Sequence, residues 1–539
     1  MPPLDNAQVT QGSVFNSSYW GITLEPFRAI ALGWVYNRKV DDLGKDSIMN
    51  ATLQQEYDLI VVGFGAAGAA AAIEAHDLGA KVLVLEKMSE GGGNSAVSGG
   101  GFIVPDHAEH ALEYLKATFD YAHDEIDEEA VRVFAEESVE LKDFFKGLDP
   151  NVEFKIWGYA NYPKLPHPEC ITKYTIAGPA TGGENLFAFL KHQVEKRDIP
   201  VFYNAAVQDL LTDNGTVTGI KVAIDDQIHV IGAQKGVILT CGGYEYDPES
   251  LQTYAQGHSI GGLGSPGNTG DGLRIAQKVG AKLWHMTAYS CPLGFKLPGH
   301  EAMCLLMMRT PGYIWVDQQG KRFVNECGID FHSALYAVNA FDPTTHHFNA
   351  IPCYLILDDR ARQAGTITHS LFGYLGIKEK VRLSENWEEE AANGTFIKAD
   401  SIKELARLIH VEDETLAATV NRWNAHVRSG CDTDFGRPMQ KDARAKDTMV
   451  GLSTVKLSET IEVGPFWAIP LYPALLNTQG GPKRNAKAQV IGVDNEPISG
   501  LYSAGELGSI WGTIYQGSSN IAECLVFGRI AARQALKNH

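Results

Sequence analysis

Residues 58–86 read DLIVVGFGAAGAAAAIEAHDLGAKVLVLE, and this stretch sets the fold. The run 58–62 is short, apolar and β-branched, which suits a strand buried on both faces of a parallel sheet. After a glycine turn, the small residues 66–79 read as a helix and 81–85 as a second apolar strand. Strand–turn–helix–strand is a βαβ unit, whose right-handed crossover lays the two strands side by side. The turn itself is Gly63-Phe64-Gly65-Ala66-Ala67-Gly68. Glycine at 63 permits the tight turn, glycine at 65 lets a pyrophosphate approach the backbone, and glycine at 68 lets helix pack closely on strand. The start of the helix, Ala66 and Ala67, then faces the phosphates. Glu86, 23 residues beyond Gly63 and followed by Lys87, ends the second strand, where a carboxylate accepts from ribose hydroxyls.

Outward from this unit, residues 1–52 are largely polar and read as an N-terminal extension. Helical patterns fill 106–147. Strand patterns follow at 201–211 (with Val207), 217–222 and 235–240, the last leading into Cys241-Gly242-Gly243. From 286 to 460 no βαβ alternation is visible and the composition turns mixed and aromatic, as in an inserted domain. Strand-like, glycine-rich chemistry returns at 475–481 and 501–505, and a small-residue helix runs over about 520–537. The expected architecture is α/β: a Rossmann-like domain formed by 53–285 plus 464–539, interrupted by an inserted α+β domain at 286–463, which the family resemblance described below makes a substrate-capping domain.

Composition narrows the function. With 46 Lys+Arg against 65 Asp+Glu the net charge is −19, a balance that repels nucleic acid and anionic lipid. The eight cysteines are scattered without CxxC or CxxCH spacing, so no metal site, iron–sulfur ligation or haem attachment is expected. No basic-then-apolar leader and no run of 18 apolar residues occurs, so the chain reads as cytoplasmic and without a transmembrane segment.

Two segments favour FAD over NAD as the dinucleotide. Residues 90–101, EGGGNSAVSGGG, follow the second strand directly, and Gly92, Gly93, Asn94, Ser95, Gly99, Gly100 and Gly101 provide backbone and polar groups to wrap a long cofactor. Far downstream, Gly505-Glu506 precedes the last helix; Glu506 suits ribityl hydroxyls, and the helix start (Ser519, Asn520, Ile521) suits the charge that a flavin gathers on reduction. Cys241-Gly242 and the run 261–272, ending at Gly272, are further expected cofactor neighbours, and Thr181-Gly182-Gly183-Glu184 an expected loop near flavin and substrate.

The stretches GFGAAG, GGGNSAVSGGGF, NTQGGPKRNAKAQV, GLYSAGELGSIWG and YQGSSNIAECLVFGRIAA together resemble the fumarate reductase/succinate dehydrogenase flavoprotein superfamily, and within it the branch of 3-ketosteroid dehydrogenases. The resemblance implies an FAD-binding domain interrupted by a capping domain, with the active site between them. Where fumarate reductases hold a dicarboxylate with histidine and arginine, and deliver a proton from a further arginine, this chain has Asn477, Tyr515 and Asp330. A dianion would lose several charge-assisted bonds of about 1.5–3 kcal/mol each. A neutral ketone fits better: the resemblance implies that Tyr515 grips the ketone oxygen, with the Ser518 and Ser519 amides beside it. It also implies a cap-domain tyrosine as base, but no clean match exists after KRFVNE; Asp330, His332, Tyr336 and Tyr313 are all chemically able. Tyr159 and Tyr162 are candidate walls of a ring pocket.

The expected function is FAD-dependent introduction of a C=C bond next to a ring ketone, of a 3-ketosteroid or similar cyclic ketone, with an external electron acceptor. The alternative is an ene-reductase running the same site in reverse from an external donor. A third reading, a flavin-containing electron-transfer or assembly subunit, predicts no ketone pocket.

Overall fold

A computed structural model of the chain describes residues 56–255, 260–368, 372–440 and 456–537. The extension expected over 1–52 lies outside the described residues. Tyr57–Val62 pairs in parallel with Val82–Leu85 on one side and with Gln227–Leu239 on the other. Val201–Phe202 extends the parallel sheet beyond Val82–Leu85, and Pro497–Ser503 extends it beyond Gln227–Leu239. The strand expected over 201–211 is therefore two: Asn204, at φ +52°, turns the chain, and Ala205–Asp213 enters an antiparallel ribbon with Thr216–Ile224 instead. The helical stretch expected over 106–147 is three helices, Ala108–Ala122, Glu128–Val139 and Leu141–Leu148.

The helix Ala66–Asp77 carries alanine or glycine at most positions and is buried almost throughout. These small residues let Ser519–Lys537 lie close against it. A Cβ built on Gly528 would stand 2.5 Å from the Ala67 carbonyl oxygen. At the turn, a Cβ on Gly68 would fall 2.0 Å from the Gly63 carbonyl oxygen, so helix and turn meet only because residue 68 has no side chain.

A second sheet centres on Phe466–Leu475. That strand is antiparallel to Cys353–Asp358, which in turn pairs with Tyr313–Val316. Leu293–Phe295 and Ile397–Ala399 also pair with Phe466–Leu475, and Gly261–Gly262 lies parallel to its end. The sheet thus crosses the boundary expected at 463/464: a wholly apolar run such as FWAIPLYPAL does not reveal which sheet it joins. Among the described residues, no helix is long and apolar enough to cross a membrane.

Candidate active site

A cavity of about 810 Å³ opens at the carboxyl ends of the parallel strands, where open α/β sheets bind ligands. Of the residues expected to hold the cofactor, Gly63, Gly65, Ala66, Ala67, Glu86, Lys87, Gly92, Gly93, Asn94, Ser95, Val207, Cys241, Gly242, Gly505 and Glu506 line it. A second cavity of about 860 Å³ is lined by Gly99, Gly100, Gly101, Asn477, Tyr515, Ser518, Asn520 and Ile521. Asn94, Ser95, Glu506 and Cys524 border both, which makes them two halves of one trough. Three expected residues stand behind the walls. Gly68 packs on the turn, Gly272 on Cys241, and Ser519 is fully buried at the helix start. The expected loop at 181–184 forms a capping box for Gly182–Glu195. Its glycines press on the backbone of residues 95–99 and so back the trough without lining it.

The trough suits a long polar cofactor. Among the described residues the buried Asn520 Oδ1 and Ser290 Oγ have no hydrogen-bond partner, although buried polar atoms are nearly always satisfied. Both residues line the second cavity. Glu86 also shapes the glycine turn: Phe64 N donates to its Oε2 at 2.9 Å and Met88 N to its Oε1 at 2.8 Å. Burial raises its carboxyl above the ordinary value, against the pull of these two amides. Glu86→Ala is therefore expected to lose FAD on gel filtration and loosen the turn. A variant that stays fully loaded with FAD would deny Glu86 a place at the dinucleotide.

Glu245, which no sequence signal singles out, forms a pair with Glu506. Asn94 Nδ2 donates to both, at 2.6 Å to Glu245 Oε1 and 2.9 Å to Glu506 Oε2. Thr478 N adds a bond to Glu506 and Asn268 Nδ2 one to Glu245. Burial first, and the charge of Glu245 second, drive Glu506 well above the carboxylate range; burial raises Glu245 as well. The folded pair thus holds a proton that the unfolded chain releases above its ordinary carboxyl pKa of about 4.3. Stability contributed by that proton is present below this pH and lost as pH rises. Glu245→Gln, which also places an N–H donor toward Glu506, should match wild type near pH 4 and melt progressively higher than wild type up to pH 8. A melting difference independent of pH would deny the shared proton.

In the second cavity, the buried Tyr515 hydroxyl accepts from Ser518 N at 3.0 Å and Asn520 N at 3.5 Å. Burial raises its pKa, partly offset by these amides. Its own O–H is left to donate. The Ser518 and Ser519 amides expected to share the ketone oxygen are spent elsewhere: Ser518 N–H on Tyr515, Ser519 N–H on the Gln516 carbonyl at 3.0 Å. Ser518, at φ +77°, contributes its side chain to the wall instead.

Neither Tyr159 nor Tyr162 lines the cavity; Trp157 does, with Phe331 and Phe372. Trp157 sits at a register shift between Ile156 and Gly158, the kind of bulge that re-aims a side chain. Tyr162 lies behind Tyr515 and donates to its carbonyl at 3.0 Å. Of the four expected bases, only His332 reaches the wall. Tyr313 is buried under the Arg437 guanidinium with its hydroxyl 3.8 Å from Cys327 Sγ. Tyr336 is 39% exposed and accepts from Tyr289 N, and Asp330 stands one layer back against His332. Among the described residues, no lysine or arginine lines this second cavity.

A family model for the FAD binding domain matches residues 58–521. The chain belongs to this family of FAD-dependent oxidoreductases, in the group that holds the 3-ketosteroid dehydrogenases and the fumarate reductases. A 3-oxosteroid 1-dehydrogenase of Mycolicibacterium smegmatis is 28% identical, over 89% of this chain and 97% of the relative. A cytochrome-linked fumarate reductase of Shewanella frigidimarina is also 28% identical, over 89% and 77%. The fold is that of the 3-ketosteroid Δ1-dehydrogenase of Sterolibacterium denitrificans, solved with 1,4-androstadiene-3,17-dione: TM-score 0.79 at 23% identity, covering 90% of this chain and all of that one.

Proposed function

We propose that this enzyme introduces a C=C bond next to a ring ketone, in a 3-ketosteroid or a cyclic ketone of similar shape. The observation that carries this reading is the charge of the second cavity: among the described residues its walls hold Glu506 but no lysine or arginine, and Trp157, Phe331 and Phe372 form apolar faces. A dicarboxylate would be buried there without a cationic partner, at several kcal/mol, whereas an apolar ring with one carbonyl needs only one donor. Tyr515 is that donor. Two N–H bonds hold its oxygen, and its proton is free for the ketone. A donor fixed in this way gains strength as the carbonyl oxygen takes on enolate character. The α-carbon gives up a proton to a base on the wall, and the β-carbon gives up hydride, leaving the new double bond conjugated with the ketone. FAD, when bound, supplies the two-electron acceptor for that hydride, and an external acceptor then removes the electrons. The curated relative named as a 3-oxosteroid 1-dehydrogenase supports the substrate class.

The test is anaerobic stopped-flow of the FAD-loaded protein with 5α-androstane-3,17-dione, 4-androstene-3,17-dione and cyclohexanone. Rapid bleaching of oxidised flavin by one of them supports the reading and reports substrate size. Reoxidation of the reduced protein by the matching enone, without bleaching in the forward direction, supports reduction of the conjugated bond instead. Silence in both directions overturns the ketone reading.

A further inference from the structure

We infer that His332, oriented by Asp330, is the base that takes the α-proton, in place of a tyrosine; this rests on the ketone reading above. His332 lines the second cavity beside Tyr515, the two rings meeting edge to face with centroids 4.9 Å apart. Carbonyl oxygen and α-hydrogen sit on adjacent carbons of a ketone, so the donor to one and the acceptor of the other must converge from neighbouring positions. Tyr515 and His332 are such neighbours.

The imidazole is set up from behind. His332 Nδ1 lies 3.2 Å from Asp330 Oδ1, and Nε2 has no hydrogen-bond partner among the described residues. A carboxylate on Nδ1–H fixes the tautomer in which Nε2 carries the lone pair. Asp330 is itself held: Asn161 Nδ2 donates to its Oδ2 at 2.9 Å, and Lys173, fully buried, donates to Asn161 Oδ1. Burial would raise the Asp330 carboxyl, but the bonds from His332 and Asn161 outweigh it and hold the group below its ordinary value. Burial pushes the Lys173 ammonium down to about 8, against the attraction of Asp330. Lys173, Asn161 and Asp330 are positioning residues, and His332 Nε2 is the atom that receives the proton as the α-C–H bond breaks and its electron pair enters the new double bond. The titratable groups packed about the Asp330–His332 pair are Lys173, Tyr114, Tyr162 and Tyr515.

The experiment uses FAD-loaded wild type, His332→Gln and Asp330→Asn with whichever ketone bleaches the wild-type flavin. In His332→Gln the rate of bleaching should fall about 10²-fold, the lower end for a lost general base. The acid limb of its pH profile should vanish, and the isotope effect with α-deuterated ketone should rise. Ketone affinity, read from the perturbed flavin spectrum, should change by no more than a few fold. Asp330→Asn should keep the limb but displace it, which a merely structural role would not do. Bleaching of His332→Gln at the wild-type rate with its acid limb intact overturns the assignment while leaving the ketone reading in place. A wild-type flavin silent toward every ketone and enone overturns both.

Discussion

Tyr515→Phe is expected to slow flavin reduction by a ketone by about 10²–10³-fold, the usual loss on deleting one preorganised donor to a developing oxyanion. The ring is 6% exposed and wedged against His332, so the phenylalanine keeps the packing and removes only the hydroxyl. FAD content should stay near wild type, because the substitution removes one hydroxyl and leaves the ring and the walls of both cavities in place. The loss should fall mainly on the rate and less on ketone affinity, since the bond to oxygen strengthens as charge develops. Two amides, of Ser518 and Asn520, lose their acceptor in the variant, and a water in the vacated place would accept from them without reproducing the fixed O–H. Undiminished bleaching with full FAD content would remove Tyr515 from the oxygen-binding role.

Glu523→Ala should destabilise the fold by about 3–5 kcal/mol, because it strands a buried guanidinium. Arg484 and Glu523 are both fully buried and bonded to each other. Glu523 also accepts from Ser509 Oγ at 2.7 Å and Ile510 N at 2.8 Å. Arg484 donates to the Gly505 carbonyl at 2.9 Å and the Leu507 carbonyl at 3.1 Å. The pair thereby fastens the loop that carries Glu506 to the helix Ser519–Lys537, so the variant should also shed FAD. Denaturant titration of the purified protein reads the first effect and flavin absorbance the second. Pairing Glu523→Leu with Arg484→Met should recover much of the loss, since apolar replacement of both partners removes the stranded charge. A single variant within about 1 kcal/mol of wild type would show that the ion pair is not holding the loop, given the usual cost of unpairing a buried charge.

What could be read in the sequence was local. The βαβ unit follows from residues 58–86 because strand periodicity, glycine sterics and a terminal carboxylate all act within one short stretch, and most of the cofactor-side residues lie in glycine-rich segments of the same kind. The second cavity depended on contacts between distant segments. Tyr159 and Tyr162 were the expected walls of a ring pocket, and Trp157 lines it instead because the bulge between Ile156 and Gly158 re-aims the strand there. Glu245 gives no signal in its own neighbourhood; its importance comes from Glu506 on the far side of the chain. Lys173, in the alternating strand Ile171–Ile176, is indistinguishable by pattern from a solvent-facing lysine, yet it is fully buried against Asn161. The strand Phe466–Leu475 goes unread in the sequence, where strand-like chemistry is expected only from residue 475 on: Pro470 and Pro473 interrupt the apolar run and argue against a central strand.

The contact between the helices Ala66–Asp77 and Ser519–Lys537 bears on how the enzyme is made. Arg529 bonds to Glu74, a partner 455 positions earlier, and Asn520, Ile521 and Cys524 complete walls that begin at Gly63. A chain still on the ribosome presents its finished nucleotide turn long before the helix that closes over it exists. Until then the alanine face lies bare and the trough has one side missing. Capture of the flavin is therefore coupled to the making of a helix whose Arg529 stands 455 positions beyond its partner Glu74, and the nucleotide turn waits for that helix before it can work.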